Sequence, residues 1–474
     1  MQLLTYIIVI EICFLLCTAS VHFPSLNLTI GTGGNGFGAG SIPLCASSPY
    51  GALRLTPDTG NELDIFIVFD HLGGYHFGDS HINTFAHTHT VGAGLPDYGQ
   101  IGLMPVQVND VEDLQRMISK THGYRSAFSH STERTEPGYY EVYLQTHRIK
   151  VQLTATEHVG SHQYLYDKNV NKKYVILIDS SYSLDSSACN NTQVEIDLKM
   201  NEVRGWILFD GALSKRFGGV RTYFIISFPQ LNITDYGVWN DNKLYPKQLN
   251  ASACNSGAYL MFSSEQVNIL VGISFVSIEQ ARVNLRMETE YQSFDKILEL
   301  VQDKWLAEFN RFEIDGWDND EMSKFNTALY HSLMSPTIWN DANGVYLGWD
   351  GQIKVKPDHM DHVYTDMSIW DVFRTQFPFI LLHDSKRMND IVSSIMLNYE
   401  QGGDLPKWPL ANGYTGCMMG SHSDIILSDL IVKKENSEFL NLTQIVQAVR
   451  QVANTNQKHD GRWLVILSSL FHSY

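Results

Sequence analysis

Two hydrophobic periods divide the chain. Over residues 63–283, short runs rich in β-branched and aromatic residues (LDIFIVF, YYEVYLQ, IKVQLTATE, YVILID, GWILFDG, RTYFIISF and VNILVGISFVS) are separated by clusters of Gly, Asn, Asp and Ser. That pattern predicts strands. No helical stretch separates them, so they are expected to pair antiparallel and stack as a sandwich. The period then lengthens. Phe294, Ile297, Leu298, Val301, Trp305, Phe309 and Phe312 recur at mostly three- and four-residue steps, which places them on one stripe of a helix. Met322, Phe325, Leu329 and Leu333 predict a second helix, stopped at Pro336. Further helices are expected over 368–382, 385–400 and 438–452, with Gly402 closing the second of these. The β half is expected to give way to the helical half near 284–300.

Composition narrows the class. A chain of 474 residues exceeds one ordinary core, and 44% apolar with 12% aromatic residues is ample for burial. A formal charge of −17 repels a phosphate backbone, so nucleic acid is not an expected partner. The opening MQLLTYIIVIEICFLLCTAS joins a short apolar run to small residues, as a secretory signal does, and residues 1–20 are read as such a leader. The run is shorter than a membrane span and carries Glu11. No later run reaches that length, so no span is expected in the mature chain. Asn-x-Ser/Thr acceptors stand at Asn27, Asn190, Asn232, Asn250 and Asn441. Cys45, Cys189, Cys254 and Cys417 remain after the leader, compatible with disulfides in an oxidising compartment, although their spacing assigns no pairs. A secreted or endomembrane-lumen protein is expected.

Three stretches carry candidate chemistry. GTGGNGFGAGSIPLCASSPYGALRLTPDT, residues 31–59, lacks the strand before and helix after that a dinucleotide loop needs, and reads as a backbone requiring positive φ. GDSHINTFAHTHTVGAGLPDYG, residues 78–99, lacks zinc-ligand spacing. Two readings stay open for it: a polar, aromatic loop at the mouth of a sugar cleft, using Tyr75, His76, His87, Asp97 and Tyr98, or a structural turn with satisfied histidines. In YTDMSIWDVFRTQFP, Asp371 and Arg374 are three apart and share a helix face, where they could pair with each other or jointly grip vicinal hydroxyls. The loop GGDLPKWPLANGYTGCMMGSHSDIILSD adds Lys407, Trp408, His422 and Asp424.

In this order GTGGNGFGAG, PYGALRLTPDT, GGYHFGDSHINTFAHTHTVGAGLPDYGQIGLMP, GVYLGWDGQIK, SIWDVFRTQFP and GGDLPKWPLANGYTGCMMGSHSD resemble glycoside hydrolase family 92, the calcium-dependent, inverting exo-α-mannosidases. The resemblance covers roughly residues 29–430. It implies a multidomain β + α architecture with an antiparallel β-sandwich over 21–283, a helical linker over 284–315 and an incomplete (α/α)6 barrel over 316–474. The active site would lie in the cleft between domains. Asp371 and Arg374 fall in the family's WD-x-FR motif and are implied to hold mannose hydroxyls, with His87, Trp408 and His422 as further substrate-binding residues. Mannose-containing N-glycans or glycoproteins are the implied partners, and calcium the implied cofactor.

The family's acid and base motifs resemble Glu-Gly-Asn and Gly-Asn-Asp-Asp, and neither occurs here. Inverting hydrolysis needs two such carboxyl groups about 6.5–9.5 Å apart, so both are expected beyond the end of this chain, as are most calcium ligands. The expected function is release of terminal α-linked mannose from N-glycans by a secreted hydrolase, inactive in this form. The alternatives are a non-catalytic carbohydrate-binding fragment and an enzyme that cleaves the glycan from its asparagine.

Overall fold

The computed structural model describes residues 23–34, 39–61, 70–120, 123–168, 172–185, 189–229, 231–433 and 441–454. The expected leader, the strand at 63–69 and the apolar run at 463–471 lie outside these residues.

The β half is two stacked antiparallel sheets. One contains, in spatial order, Thr56–Gly60, His81–Ala86, Gly102–Val108, Lys173–Asp179, Ser256–Phe262, Ile233–Asn240 and Lys243–Pro246. The other runs Asn250–Ala251, Cys189–Asp197, Glu202–Phe209, Val220–Ser227, Gln266–Ser274, Val159–Tyr166, Ile149–Ala155, Tyr139–Leu144 and Arg134–Glu136. Val151, Leu153, Ile176, Ile178, Phe224, Ile226 and Leu260 are fully buried in the shared core. Strand Glu202–Phe209 alternates between buried and half-buried positions, as its sequence pattern predicts. Cys189 and Cys254 form a disulfide, tying an outer strand of the second sheet to the segment that enters Ser256–Phe262 in the first.

Among the described residues an α-helix interrupts the sandwich where only strands were expected. This is α1, Val111–Ile118, whose N-terminus is capped by the Asp110 side chain and whose Leu114 and Ile118 are buried.

The helical half begins at α2, Ile278–Thr289, earlier than 284, because Ser277 caps it by accepting from the Gln280 backbone. Next, α3, Phe294–Phe309, buries Phe294, Ile297, Val301, Trp305 and Phe309 as the stripe predicted. It lies along the sandwich: the Trp305 indole donates to the Ser47 carbonyl at 2.7 Å and Lys304 pairs with Glu157 at 2.8 Å. Helix α4, Asn319–Ser332, opens with a capping box between Asp318 and Glu321.

The single helix expected over 368–382 is two: α5, Ile369–Val372, and α6, Gln376–His383. Pro378 is the cause, since it has no N–H to donate back to the Arg374 carbonyl, and the chain departs from helical geometry at Thr375 (φ −124°). Helix α7, Ser385–Gly402, ends on Gly403 in the left-handed region at φ +92°. Helices α8, His422–Lys433, and α9, Leu442–Asn454, complete the described residues. No described helix is long and apolar enough to cross a membrane.

Candidate carbohydrate site at the domain junction

Helix α5 positions the first group. The Ser368 hydroxyl donates to the Asp371 carboxylate and accepts from the Trp408 indole N–H at 2.7 Å. Asp371 is thereby oriented while remaining exposed to solvent. Arg374 follows at the break before α6, also exposed, with its guanidinium 5.0 Å from the Phe373 ring centre. On Phe373 lies the ring of His422, 4.3 Å away. Partial burial, reinforced by the charge of Arg374 and opposed by Asp424 and Asp371, holds the His422 pKa below its ordinary value. Neutral imidazole can both donate and accept. Asp371 and Arg374 are both exposed, so each presents its charge to solvent.

The loop bearing Trp408 is fixed from several sides. Its carbonyls are taken by Thr365, whose hydroxyl donates to Ala411 at 2.5 Å, and by Met367, whose backbone donates to Pro409 at 3.2 Å. The Ala411 backbone donates to the Asp366 carboxylate at 2.9 Å. The sandwich contributes Arg216, which donates to the Thr415 carbonyl at 2.7 Å, and Phe217, whose ring packs so tightly on Gly413 that a β-carbon there would meet it at 2.2 Å. Tyr98, Leu213, Phe275, Trp339, Trp349, Trp408 and Leu410 form an apolar cluster through this junction. The fold thus brings Asp371, Arg374, Trp408 and His422 together from separate segments.

His87 is not among them. It is fully buried between the sheets, with Nδ1 on the Ile101 carbonyl at 2.6 Å and Nε2 on His162 Nε2 at 3.0 Å, so it has no atom free for a sugar. The same correction applies to the expected cleft-mouth loop. Tyr75 and Asp97 are interior, the first hydrogen-bonded to Glu133 and the second accepting from Leu213 and Ser214. Tyr98 is interior too, but its hydroxyl reaches Asp366. Only His76 of that set is substantially solvent-facing. Within the histidine stretch, His81–Ala86 is a strand, and both ring nitrogens of His87 and of His89 are taken by backbone or side-chain partners. All five glycosylation acceptors, Asn27, Asn190, Asn232, Asn250 and Asn441, are exposed.

Two residues that hold this arrangement together, Ser368 and Asp366, were not singled out from sequence. Ser368 was signalled by S-x-x-D, a capping-box pattern. Asp366, by contrast, had no local signal. It is a non-glycine residue at φ +55°, a conformation imposed by its tertiary contacts.

The described residues contain one group with metal-ligand proximity, Glu157, His158 and Glu288. It does not fit calcium, which takes six to eight oxygens. His158 supplies nitrogen and already bonds Glu288 at 2.6 Å, while Lys304 neutralises Glu157. A neighbouring cavity of about 320 Å³ joins the sandwich, α3 and the helical half. Its cations Lys304, Arg311, Lys386 and Arg387 are each paired, with Glu157, Glu308, Asp361 and Glu308 respectively. It is an ionic junction whose cations are matched by neighbouring carboxylates.

Residues 26–274 match the family model of the glycosyl hydrolase family 92 N-terminal domain, and residues 280–470 that of the family 92 catalytic domain. A family GH92 α-mannosidase from Bacteroides thetaiotaomicron is similar in structure, with a TM-score of 0.81 and 25% identity over 91% of this chain and 57% of that one. A GH92 inverting mannosidase from the same organism shares the fold, with a TM-score of 0.78 and 23% identity over 91% and 55% of the two chains. The chain therefore spans a little over half the length of these solved relatives. No curated protein matches it in sequence.

Proposed function

The chain belongs to glycoside hydrolase family 92, and from that premise we propose that its domain junction receives a terminal α-linked mannose of an N-glycan. The convergence of Asp371, Arg374, Trp408 and His422 carries this reading. A carboxylate and a guanidinium can bind adjacent hydroxyls through charge-assisted hydrogen bonds, and the half-buried Phe373 ring beside them adds apolar surface, while the buried Trp408 acts behind them by holding Ser368. The similarity to a GH92 inverting mannosidase supports exo-α-mannosidase hydrolysis as the activity of an intact form. The family's acid and base motifs do not occur in this sequence. Our reading is therefore binding without turnover. The exposed asparagine acceptors and the disulfide support a secretory or endomembrane-lumen location.

The test is to express residues 21–474 and measure mannose release in the presence of calcium alongside binding of an α-mannobiose by calorimetry. Binding that is lost in Asp371→Asn and Arg374→Met, with no sugar released, is the expected result. Turnover comparable to an intact family member overturns the inactivity; absence of binding overturns the site.

A further inference from the structure

The second sheet carries an aromatic and cationic platform on its outer face. Strand Cys189–Asp197 pairs with Glu202–Phe209, and that strand with Val220–Ser227, in a register that puts Gln193, Trp206 and Tyr223 on one rung and Asn191, Leu208 and Arg221 on another. Residues opposite one another share a face. The rung between these two, Thr192, Ile207 and Thr222, is fully buried, so the flanking rungs point outward. There Gln193 and Arg221 are exposed, and Trp206 and Tyr223 half-buried. The indole is held from two directions: its N–H donates to the Gln193 side-chain carbonyl at 3.1 Å, and the Arg221 guanidinium lies 4.6 Å from its ring centre. A sugar can lay its C–H face on such a ring while its hydroxyl and acetamido oxygens accept from the guanidinium.

Asn190 stands at the end of this face. The pairing is irregular between Cys189 and Asn191, which leaves Asn190 outside the ladder and exposed. Its side-chain amide donates to the Asp210 carboxylate at 3.3 Å. Asp210 lies two residues beyond Leu208 and keeps the outward side of that strand's alternation. A glycosylated asparagine retains one side-chain N–H, so the bond to Asp210 can persist and aim the attached sugar along the strand. The Cys189–Cys254 disulfide fixes the backbone beside it. Strand spacings of about 3.3 Å along and about 4.8 Å across put Trp206 roughly 11 Å from Asn190, the span of the first two or three sugars of an N-glycan. Asn190-Asn191-Thr192 is an acceptor sequence.

We propose that the N-glycan of Asn190 lies along this sheet, with its core N-acetylglucosamines against Trp206 and Arg221. The proposal rests on the secretory location given above and is independent of mannose binding at the domain junction. Anchor and platform both belong to the sandwich and are rigid before the sugar arrives, so little ordering of protein opposes the contact.

Secretory expression of the full chain with high-mannose glycans, followed by peptide mass spectrometry, shows which acceptors are occupied; Asn190 is expected to be among them. An endoglycosidase that cuts between the two core N-acetylglucosamines should release the Asn190 glycan from the folded protein at least tenfold more slowly than the glycan of Asn232, and at an equal rate after denaturation. Trp206→Leu, and Arg221→Ala at an exposed position, should each speed release at Asn190 and leave Asn232 unchanged. Asn190→Gln should lower the melting temperature of the unaltered chain but not that of the Trp206→Leu protein, where the contact is already lost. Bare Asn190 in a chain glycosylated elsewhere, release as fast as at Asn232, or protection that survives either substitution would overturn the proposal and leave the secretory location standing. A chain bare at all five acceptors would overturn both.

Discussion

The hydroxyl of Tyr98, on a sandwich loop, donates across the domain junction to the carboxylate of Asp366 at 3.2 Å. The same carboxylate oxygen accepts from the Ala411 backbone, and Asp366 stands two residues before Ser368, which orients Asp371. One buried side chain thus connects the β half to both the Trp408 loop and the helix carrying Asp371. Burial holds the Asp366 pKa above the usual carboxylate value. Tyr98→Phe removes a donor from this interior carboxylate and is expected to cost about 1–3 kcal/mol in urea denaturation. Mannobiose affinity should fall with it, although Tyr98 is not expected to touch the sugar.

The buried histidines predict sensitivity to acid. His87 Nδ1–H donates to the Ile101 carbonyl, so its Nε2 is left as an acceptor. His162 Nε2–H donates to that nitrogen at 3.0 Å, and His162 Nδ1 accepts from the Tyr164 hydroxyl at 2.8 Å. A proton added to either ring sets two donors against each other. Burial accordingly lowers the His87 pKa to about 4 and holds His162 well below its ordinary value. The unfolded histidines titrate near 6.5. Between those values the unfolded chain takes up protons that the folded chain does not, so stability falls as pH drops from about 6.5 towards 4. His162→Gln keeps a donor facing His87 and removes one titrating group. Its melting temperature should fall less steeply over that window than that of the unaltered chain.

These histidines also mark the limit of what sequence conveys. Motif order pointed to Asp371, Arg374, Trp408 and His422, which local strings carry and which the fold brings near one another. His87 belongs to an equally distinctive string but faces inward, and nothing in its neighbours encodes that direction. Among the elements, the α3 stripe was legible because only one side of that helix is buried. Strands Gly102–Val108 and Ser256–Phe262 are buried at every position, so they lack the alternation that reveals a half-buried strand. The α5–α6 break was in principle readable from Pro378, whereas the strained backbone of Asp366 depends on partners far away in sequence.

A partly buried ionic cluster should make the domain junction vulnerable to a single substitution. Arg387 on α7 pairs with Glu308 on α3 at 2.5 Å and with Asp384 at 3.0 Å, and its guanidinium lies 4.2 Å from the centre of the Tyr50 ring. Glu308 is almost wholly buried. Arg387→Met keeps most of the volume but leaves Glu308 and Asp384 dependent on Arg311 alone. Removing one partner from a buried pair typically costs about 3–5 kcal/mol, and chemical denaturation should register a loss at the lower end because Arg387 is not fully enclosed. Moderate salt should recover little of it, since screening weakens inside the protein.

The last prediction concerns the alkaline side and distinguishes an ion pair from a metal site. His158 Nδ1 meets Glu288 Oε1 at 2.6 Å, while Glu288 Oε2 accepts from the His158 backbone at 2.9 Å and from the Thr156 hydroxyl at 2.5 Å. Burial alone would lower the His158 pKa; the charge and hydrogen bond of Glu288 outweigh it and push the value up to about 9. The folded state therefore holds a proton that the unfolded state releases near 6.5. The resulting stabilisation is complete below that pH and is lost as pH rises through 9, a difference of about 3 kcal/mol at the full shift. Glu288→Gln should lower the melting temperature at pH 6 and flatten its decline between pH 6.5 and 9. Because the pair is already neutralised internally, a chelator should leave both curves unchanged. A chelator-dependent melting temperature that Glu288→Gln abolishes would instead assign Glu157, His158 and Glu288 to a bound cation.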